Sequence, residues 1–161
     1  MTVRTTLSRR RLLGVAAAAL ALPTAALASK TSLPLVEIWK SPTCGCCGEW
    51  IKHLEANGFM TRVNLIPDTA PVRKRVGFDE KHGSCHTALV GGYAVEGHVP
   101  AKDIRRLLKD KPQAIGLAVP GMPVGSPGMD DPAYGGRRDP YDVLLVTRNG
   151  EPRVYASYNK A

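Results

Sequence analysis

Cys44, Cys46 and Cys47 fall within four consecutive positions, directly after an apolar run and directly before residues that repeat at helical spacing. Leu35 to Trp39 is short and apolar, broken only by Glu37 and closed by Ser41-Pro42, which predicts a buried strand running into a loop. From Cys47 onward Trp50, Ile51, Leu54 and Ala56 recur at helical spacing, and Asn57-Gly58 supplies a stop. The cysteines therefore belong at a strand-to-helix junction. The alternation continues with a weak strand over Phe59 to Ile66 and a short helix over Ala70 to Val76 that opens with Pro71. A hairpin follows, Thr87 to Val90 and Tyr93 to Val99 around Gly91-Gly92, and then an amphipathic helix over Pro100 to Asp110. In that last helix Ile104, Leu107 and Leu108 face inward and the outer face is basic. The predicted order is β-α-β-α-β-β-α, an α/β class.

Such a junction suits thiolates. Unpaired N–H groups and the positive end of the helix dipole stabilise a negative sulfur there, lowering a thiol below its free value of about 8.5. A redox Cys-x-x-Cys pair, Cys44 and Cys47, needs this setting, and so does a soft-metal site, because the metal binds the thiolate. Two structural disulfides are a further alternative, since four cysteines (Cys85 is the fourth) allow three pairings. Adjacent Cys46 and Cys47 would be strained partners, and the loops closed by neighbours so near in sequence are trivially small. A structural zinc site expects ligand pairs two to four residues apart, which Cys-x-Cys-Cys fits poorly. The extra sulfur of Cys46 favours a metal over a redox pair. Clustered thiolates repel one another unless cations neutralise them, Cu(I) prefers sulfur, and thiolates can bridge ions, so more than one Cu(I) is expected.

The formal charge of +8 is no sign of a nucleic-acid partner, because Arg4, Arg9, Arg10 and Arg11 lie in the first eleven positions with no acid near them. Ser8-Arg9-Arg10-Arg11 precedes an alanine-rich apolar run from Leu12 to Leu22, and Ala26-Leu27-Ala28 offers a small-x-small cleavage pattern. These features predict an export signal of the twin-arginine type over residues 1–28. The run is too short for a permanent membrane anchor across about 30 Å of hydrocarbon, and Pro23 interrupts it. Residues 112–140 hold six of the 13 prolines and read as one long irregular segment, followed by a second hairpin, Tyr141 to Thr147 and Pro152 to Tyr158, around Asn149-Gly150.

Four stretches carry a family resemblance: Val36 to Phe59 with Cys44-Gly45-Cys46-Cys47-Gly48 at its centre; Ser84-Cys85-His86-Thr87-Ala88; Val95-Glu96-Gly97-His98-Val99-Pro100; and Pro120 to Met129. On these the chain resembles the periplasmic CopG-type copper-resistance proteins. The resemblance implies a thioredoxin-like α/β fold with a Gly/Pro-rich loop and a C-terminal β-hairpin extension. The expected organisation is an export signal over 1–28, a thioredoxin-like metal-binding core over 29–111, and residues 112–161 completing the same domain. It also implies copper held by Cys44, Cys46, Cys47, Cys85 and His86, a periplasmic location, and other periplasmic copper-handling proteins as partners. Storage, relay and a change of copper oxidation state, the last a copper-dependent oxidoreductase, remain open under the resemblance. The competing class is a thiol-disulfide oxidoreductase using Cys44 and Cys47.

In a thioredoxin-like fold the residues just before the third strand abut the Cys-x-x-Cys loop, where thioredoxins carry a cis-proline. Here Cys85-His86-Thr87 stands in that place, offering ligands and lacking a substrate-holding proline. His53, His82 and His98 are read as surface residues or supports around the site, and Trp39 and Trp50 as core. Met122 and Met129 are soft donors that either cap copper or pack the loop over it, and Asp130-Asp131 and Arg137-Arg138 read as solvated loop charges.

Overall fold

Strand β1 (Val36–Lys40) alternates strictly, with Val36, Ile38 and Lys40 buried on one face and Glu37 and Trp39 half-buried on the other. This period of two sends alternate side chains to the two faces of a sheet, one fully covered and the other only partly. The computed structural model describes residues 2, 32–148 and 151–160. The expected export segment and the Asn149-Gly150 turn lie outside the described residues.

After β1 the chain enters helix α1 (Gly45–Ala56) and returns in strand β2 (Thr61–Leu65), which pairs parallel to β1. Helix α2 (Ala70–Arg75) and a 3-10 turn (Glu80–His82) lead to strand β3 (His86–Val90), antiparallel to β1. Strand β4 (Tyr93–Glu96) completes a hairpin with β3, and helix α3 (Ala101–Asp110) follows. This order, with a parallel β1-β2 crossover and an antiparallel β3-β4 hairpin, is compatible with the expected thioredoxin-like arrangement. Beyond it strand β5 (Gly116–Ala118) runs parallel to β4, and strands β6 (Tyr141–Val146) and β7 (Arg153–Tyr158) add antiparallel neighbours. The resulting seven-stranded sheet has the order β2-β1-β3-β4-β5-β6-β7. From Ser32 onward the chain forms one compact unit.

Alternation along the strands sorts side chains to two faces. Val36, Ile38, Ala88, Val90, Val95, Leu117, Val143 and Leu145 meet Trp50 and Leu54 of α1 and Ile104 and Leu107 of α3 in the main core. Ala94, Ala118 and Val146 line the opposite face, where Phe78 packs. Trp50 is fully buried and its indole N–H donates to the Val99 carbonyl at 2.9 Å. It ties α1 to the segment that follows β4; truncating a buried aromatic of this kind costs about 3–5 kcal/mol.

Two sequence expectations need correcting. Trp39 is not a core residue: it shares the outer face with Glu37 and lies half-buried beneath the Arg75 guanidinium, 5.7 Å from the ring centroid. Residues 112–140 are not uniformly irregular, since Gly116–Ala118 form β5 and extend the sheet. A Cβ at Gly116 would lie 1.7 Å from the Ala94 carbonyl oxygen, so only glycine lets β5 approach β4 so closely.

Candidate metal centre

Cys44 occupies the N-cap of α1 with extended backbone, and Cys46 and Cys47 lie in its first turn. All three sulfurs are thus at the end of α1 where N–H groups lack intrahelical partners and the dipole is positive. Cys85 comes from the other side, immediately before β3, and antiparallel pairing of Lys40 with His86 brings that strand start beside the end of β1. The four sulfurs lie within 4.8 Å of one another. Cys46 Sγ is 3.5 Å from Cys44 Sγ and 3.9 Å from Cys85 Sγ, and Cys47 Sγ lies 3.6 Å from the Cys85 carbonyl oxygen. Cys44 and Cys47 are joined as a disulfide, whereas Cys46 and Cys85 are free and half-buried.

A second donor group shares Cys85. His86 Nδ1 lies 3.3 Å and His98 Nε2 3.1 Å from its sulfur, and the three donor atoms fall within 4.8 Å of one another. Both imidazoles are fully buried. The Pro127 carbonyl sits 2.8 Å from His98 Nδ1 and can only accept, so Nδ1 carries the hydrogen and Nε2 turns its lone pair to Cys85. The His86 ring packs tilted against Trp50 with ring centroids 4.2 Å apart, and its Nε2 is buried with no hydrogen-bond partner among the described residues. Sulfur and neutral imidazole nitrogen make up these two groups, a set suited to soft and borderline metals and ill-suited to hard, oxygen-seeking cations.

All five residues expected to bind metal from the sequence, Cys44, Cys46, Cys47, Cys85 and His86, therefore come together in space. Of the two places expected for His98, surface or support around the site, the structure gives the second: it is buried against Cys85. The signal available was Gly97, whose φ of +72° turns the chain back after β4, and where a Cβ would come within 2.5 Å of Ser84 Oγ and Val119 O. His82 is also buried, beside Phe78 and away from the sulfurs, and His53 accepts the first N–H of α3, from Ala101, at 3.1 Å. Met129 is buried beneath Tyr134 and Met122 is exposed. Asp130, Asp131, Arg137 and Arg138 are exposed, as their reading as loop charges requires.

Comparison with known proteins bears directly on this centre. A family model described as "Protein of unknown function, DUF411" matches residues 82–129, the stretch that carries Cys85, His86 and His98. A solved structure of the copper resistance protein CopG, form 1, is 45% identical, with 80% of this chain and 99% of that chain covered and a TM-score of 0.73. The chain belongs to the CopG copper resistance family. Form 2 of the CopG structure agrees, at 46% identity, 78% and 98% coverage and a TM-score of 0.72. No curated protein matches the chain. For a CopG family member the thiol cluster is a centre able to hold metal, and no helix among the described residues is long and apolar enough to cross a membrane.

Burial controls the protonation of the donors. Desolvation, helped by the neighbouring Cys46, pushes the Cys85 thiol up to about 12, so this sulfur keeps its proton at neutral pH until a metal replaces it. Burial likewise holds His53, His82 and His98 below the ordinary imidazole range and His86 well below it, leaving both site imidazoles neutral and able to bind metal.

The same shifts predict a pH dependence. Histidines depressed in the folded state contribute stability that is present above their unfolded value of about 6.5 and is lost as pH falls below it, because the unfolded chain then binds more protons. Buried Glu96 is shifted upward and works in the opposite sense, one group against four. The melting temperature of the metal-free protein is therefore expected to fall as pH is lowered from 7.5 to 5. A flat profile over that range in thermal melts contradicts the assignment of neutral, buried imidazoles.

Proposed function

We propose that this chain is a periplasmic copper-resistance protein, exported by the twin-arginine route, that holds Cu(I) as a thiolate-bridged cluster of more than one ion. Cys44, Cys46, Cys47, Cys85 and His86 are the ligands in this proposal, with His98 Nε2 as a further nitrogen donor. One observation carries it: four sulfurs from two distant segments converge within 4.8 Å, beside two buried imidazoles that share Cys85. Thiolates are the softest donors a protein offers and can bridge, which favours several monovalent copper ions over a single zinc. Membership of a copper resistance family supports copper as the metal and resistance as the process. Use of all four thiolates requires the Cys44–Cys47 disulfide to take up two electrons and two protons first, so loading is tested on reduced protein.

Elemental analysis after anaerobic loading is expected to find more than one copper per chain, with zinc displaced when both are offered. One tightly held zinc and no copper after a copper challenge rules the proposal out.

The Cys44–Cys47 disulfide gives a second function a specific observation of its own. An outer cysteine pair at a helix N-terminus is the arrangement of a thiol-disulfide oxidoreductase, and such an enzyme has no need of Cys46. Exchange activity that survives Cys46→Ser with unchanged copper content favours this function.

A further inference from the structure

We infer that Arg73 and Glu96 are a positioning pair that sets the place of Cys85 in the copper site; the inference rests on the proposal that Cys85 donates to copper. Glu96 ends β4 opposite Thr87 and is fully buried. Its Oε1 accepts from Arg73 Nε at 2.7 Å and from the backbone N–H of Ser84 at 2.8 Å, and its Oε2 accepts from the Thr87 hydroxyl at 2.6 Å. Arg73, on α2, extends a second arm: Nη2 donates to the Ser84 carbonyl at 2.9 Å and to Thr69 Oγ1 at 3.3 Å. The residue immediately before Cys85 is therefore gripped at both of its backbone groups, the N–H by the carboxylate and the C=O by the guanidinium.

Other contacts close the same segment from two more sides. Ser84 Oγ donates to the Gly121 carbonyl at 2.5 Å, and Gly97 N–H donates to the His86 carbonyl at 3.0 Å. Gly83 passes so close to Arg73 that a Cβ there would meet Nη1 at 3.1 Å and the Glu80 carbonyl at 2.9 Å.

A buried ion pair is weak grounds for added stability, because desolvation offsets the attraction. What this pair supplies is location. All three partners of Glu96 donate, which fits the ionised carboxylate, and the planar guanidinium fork fixes direction as well as distance. The hydrogen bonds end on the backbone of residue 84 rather than on a sulfur, so the pair acts on copper through where it holds Cys85. It also accounts for α2, whose exposed helix delivers one buried side chain, Val72, and this arginine.

A double-mutant cycle on the full chain tests the inference, with Cu(I) affinity measured against a competing chromophoric chelator and the sulfur-to-copper absorption bands recorded. Arg73→Met, folded by circular dichroism, is expected to bind Cu(I) roughly tenfold more weakly, about 1.4 kcal/mol, and to shift those bands. In a Cys85→Ser background it should cause no further loss, because groups that act through one residue are not additive. Arg73→Lys keeps a charge for Glu96 but lacks the second arm to Ser84; it should shift the bands with a smaller loss of affinity, and it carries the cycle if Arg73→Met does not fold.

Unchanged affinity and bands in both arginine variants, while Cys85→Ser alone weakens binding, overturn the positioning role and leave the copper site standing. Losses that add in the double variant also overturn it, since they mark general destabilisation. Parent-like binding by Cys85→Ser removes the composite site, and the positioning role falls with it.

Discussion

Cys85→Ser is expected to take up fewer Cu(I) ions than the parent, to hold them at least 100-fold more weakly, and to lose most of the thermal stabilisation that copper confers. Cys85 is the one residue common to the four-sulfur group and the sulfur-imidazole group, so its loss opens both. Serine preserves size but replaces a soft donor with a hard one that Cu(I) binds poorly. Ligand that binds only the folded state stabilises it by mass action, so a 100-fold loss of affinity removes up to about 2.7 kcal/mol. For a chain of this length that is on the order of 10 °C in melting temperature. His86→Ala should show the same signs more weakly, because imidazole is the less soft ligand. Calorimetry of metal-free and loaded proteins measures both. If Cys85→Ser binds as much copper as tightly, with the same gain in melting temperature, Cys85 is only a half-buried thiol.

The second large effect separates copper binding from disulfide exchange. Cys46 lies between Cys44 and Cys85 in the sulfur cluster, 3.5 Å from one and 3.9 Å from the other, and it stands outside the Cys44–Cys47 bond. Cys46→Ser should therefore lower copper content as severely as Cys44→Ser does. An exchange enzyme predicts a split instead: Cys44→Ser abolishes insulin reduction, and Cys46→Ser leaves it largely intact, because only the outer pair forms and breaks the bond. Assaying both variants for copper and for insulin reduction gives four numbers. Parent-like copper content and strong reduction by Cys46→Ser would falsify the copper proposal.

Much of this architecture was legible in the residues. Apolar spacing from Trp50 to Ala56 and the Gly91-Gly92 turn place α1 and the β3-β4 hairpin correctly, and every element up to α3 appears in its expected order. Period-two alternation also held the answer for Trp39: Lys40 shares a face with Ile38, so Trp39 must share one with Glu37. Hydrophobicity alone pointed the other way. Strand β5 was hidden because it has three residues between Pro112 and Pro120 and depends on tertiary pairing with β4 and β6. For His98 the sequence left surface and support around the site undivided, because its place beside Cys85 comes from a glycine turn and from the Pro127 carbonyl, both remote from any local pattern. Chemistry written in adjacent residues, such as Cys-x-Cys-Cys, can be read directly. Positions created by sheet pairing cannot.

The loop between β5 and β6 has a consequence for when the site comes into being. Gly128 packs on the first two turns of α1, where a Cβ would meet Trp50 N at 2.6 Å and the Cys46 carbonyl at 2.8 Å, and neighbouring Pro127 orients His98. A ribosome therefore delivers the cysteine trio well before the loop that closes over it, and at roughly 5–20 residues per second the interval is several seconds. During synthesis the thiols are present without their finished surroundings, open to any metal or oxidant at hand. In the copper proposal the finished sulfur-imidazole site exists only once the loop carrying Pro127 and Gly128 has closed on it, which makes the order of folding and metal encounter part of the protein's chemistry.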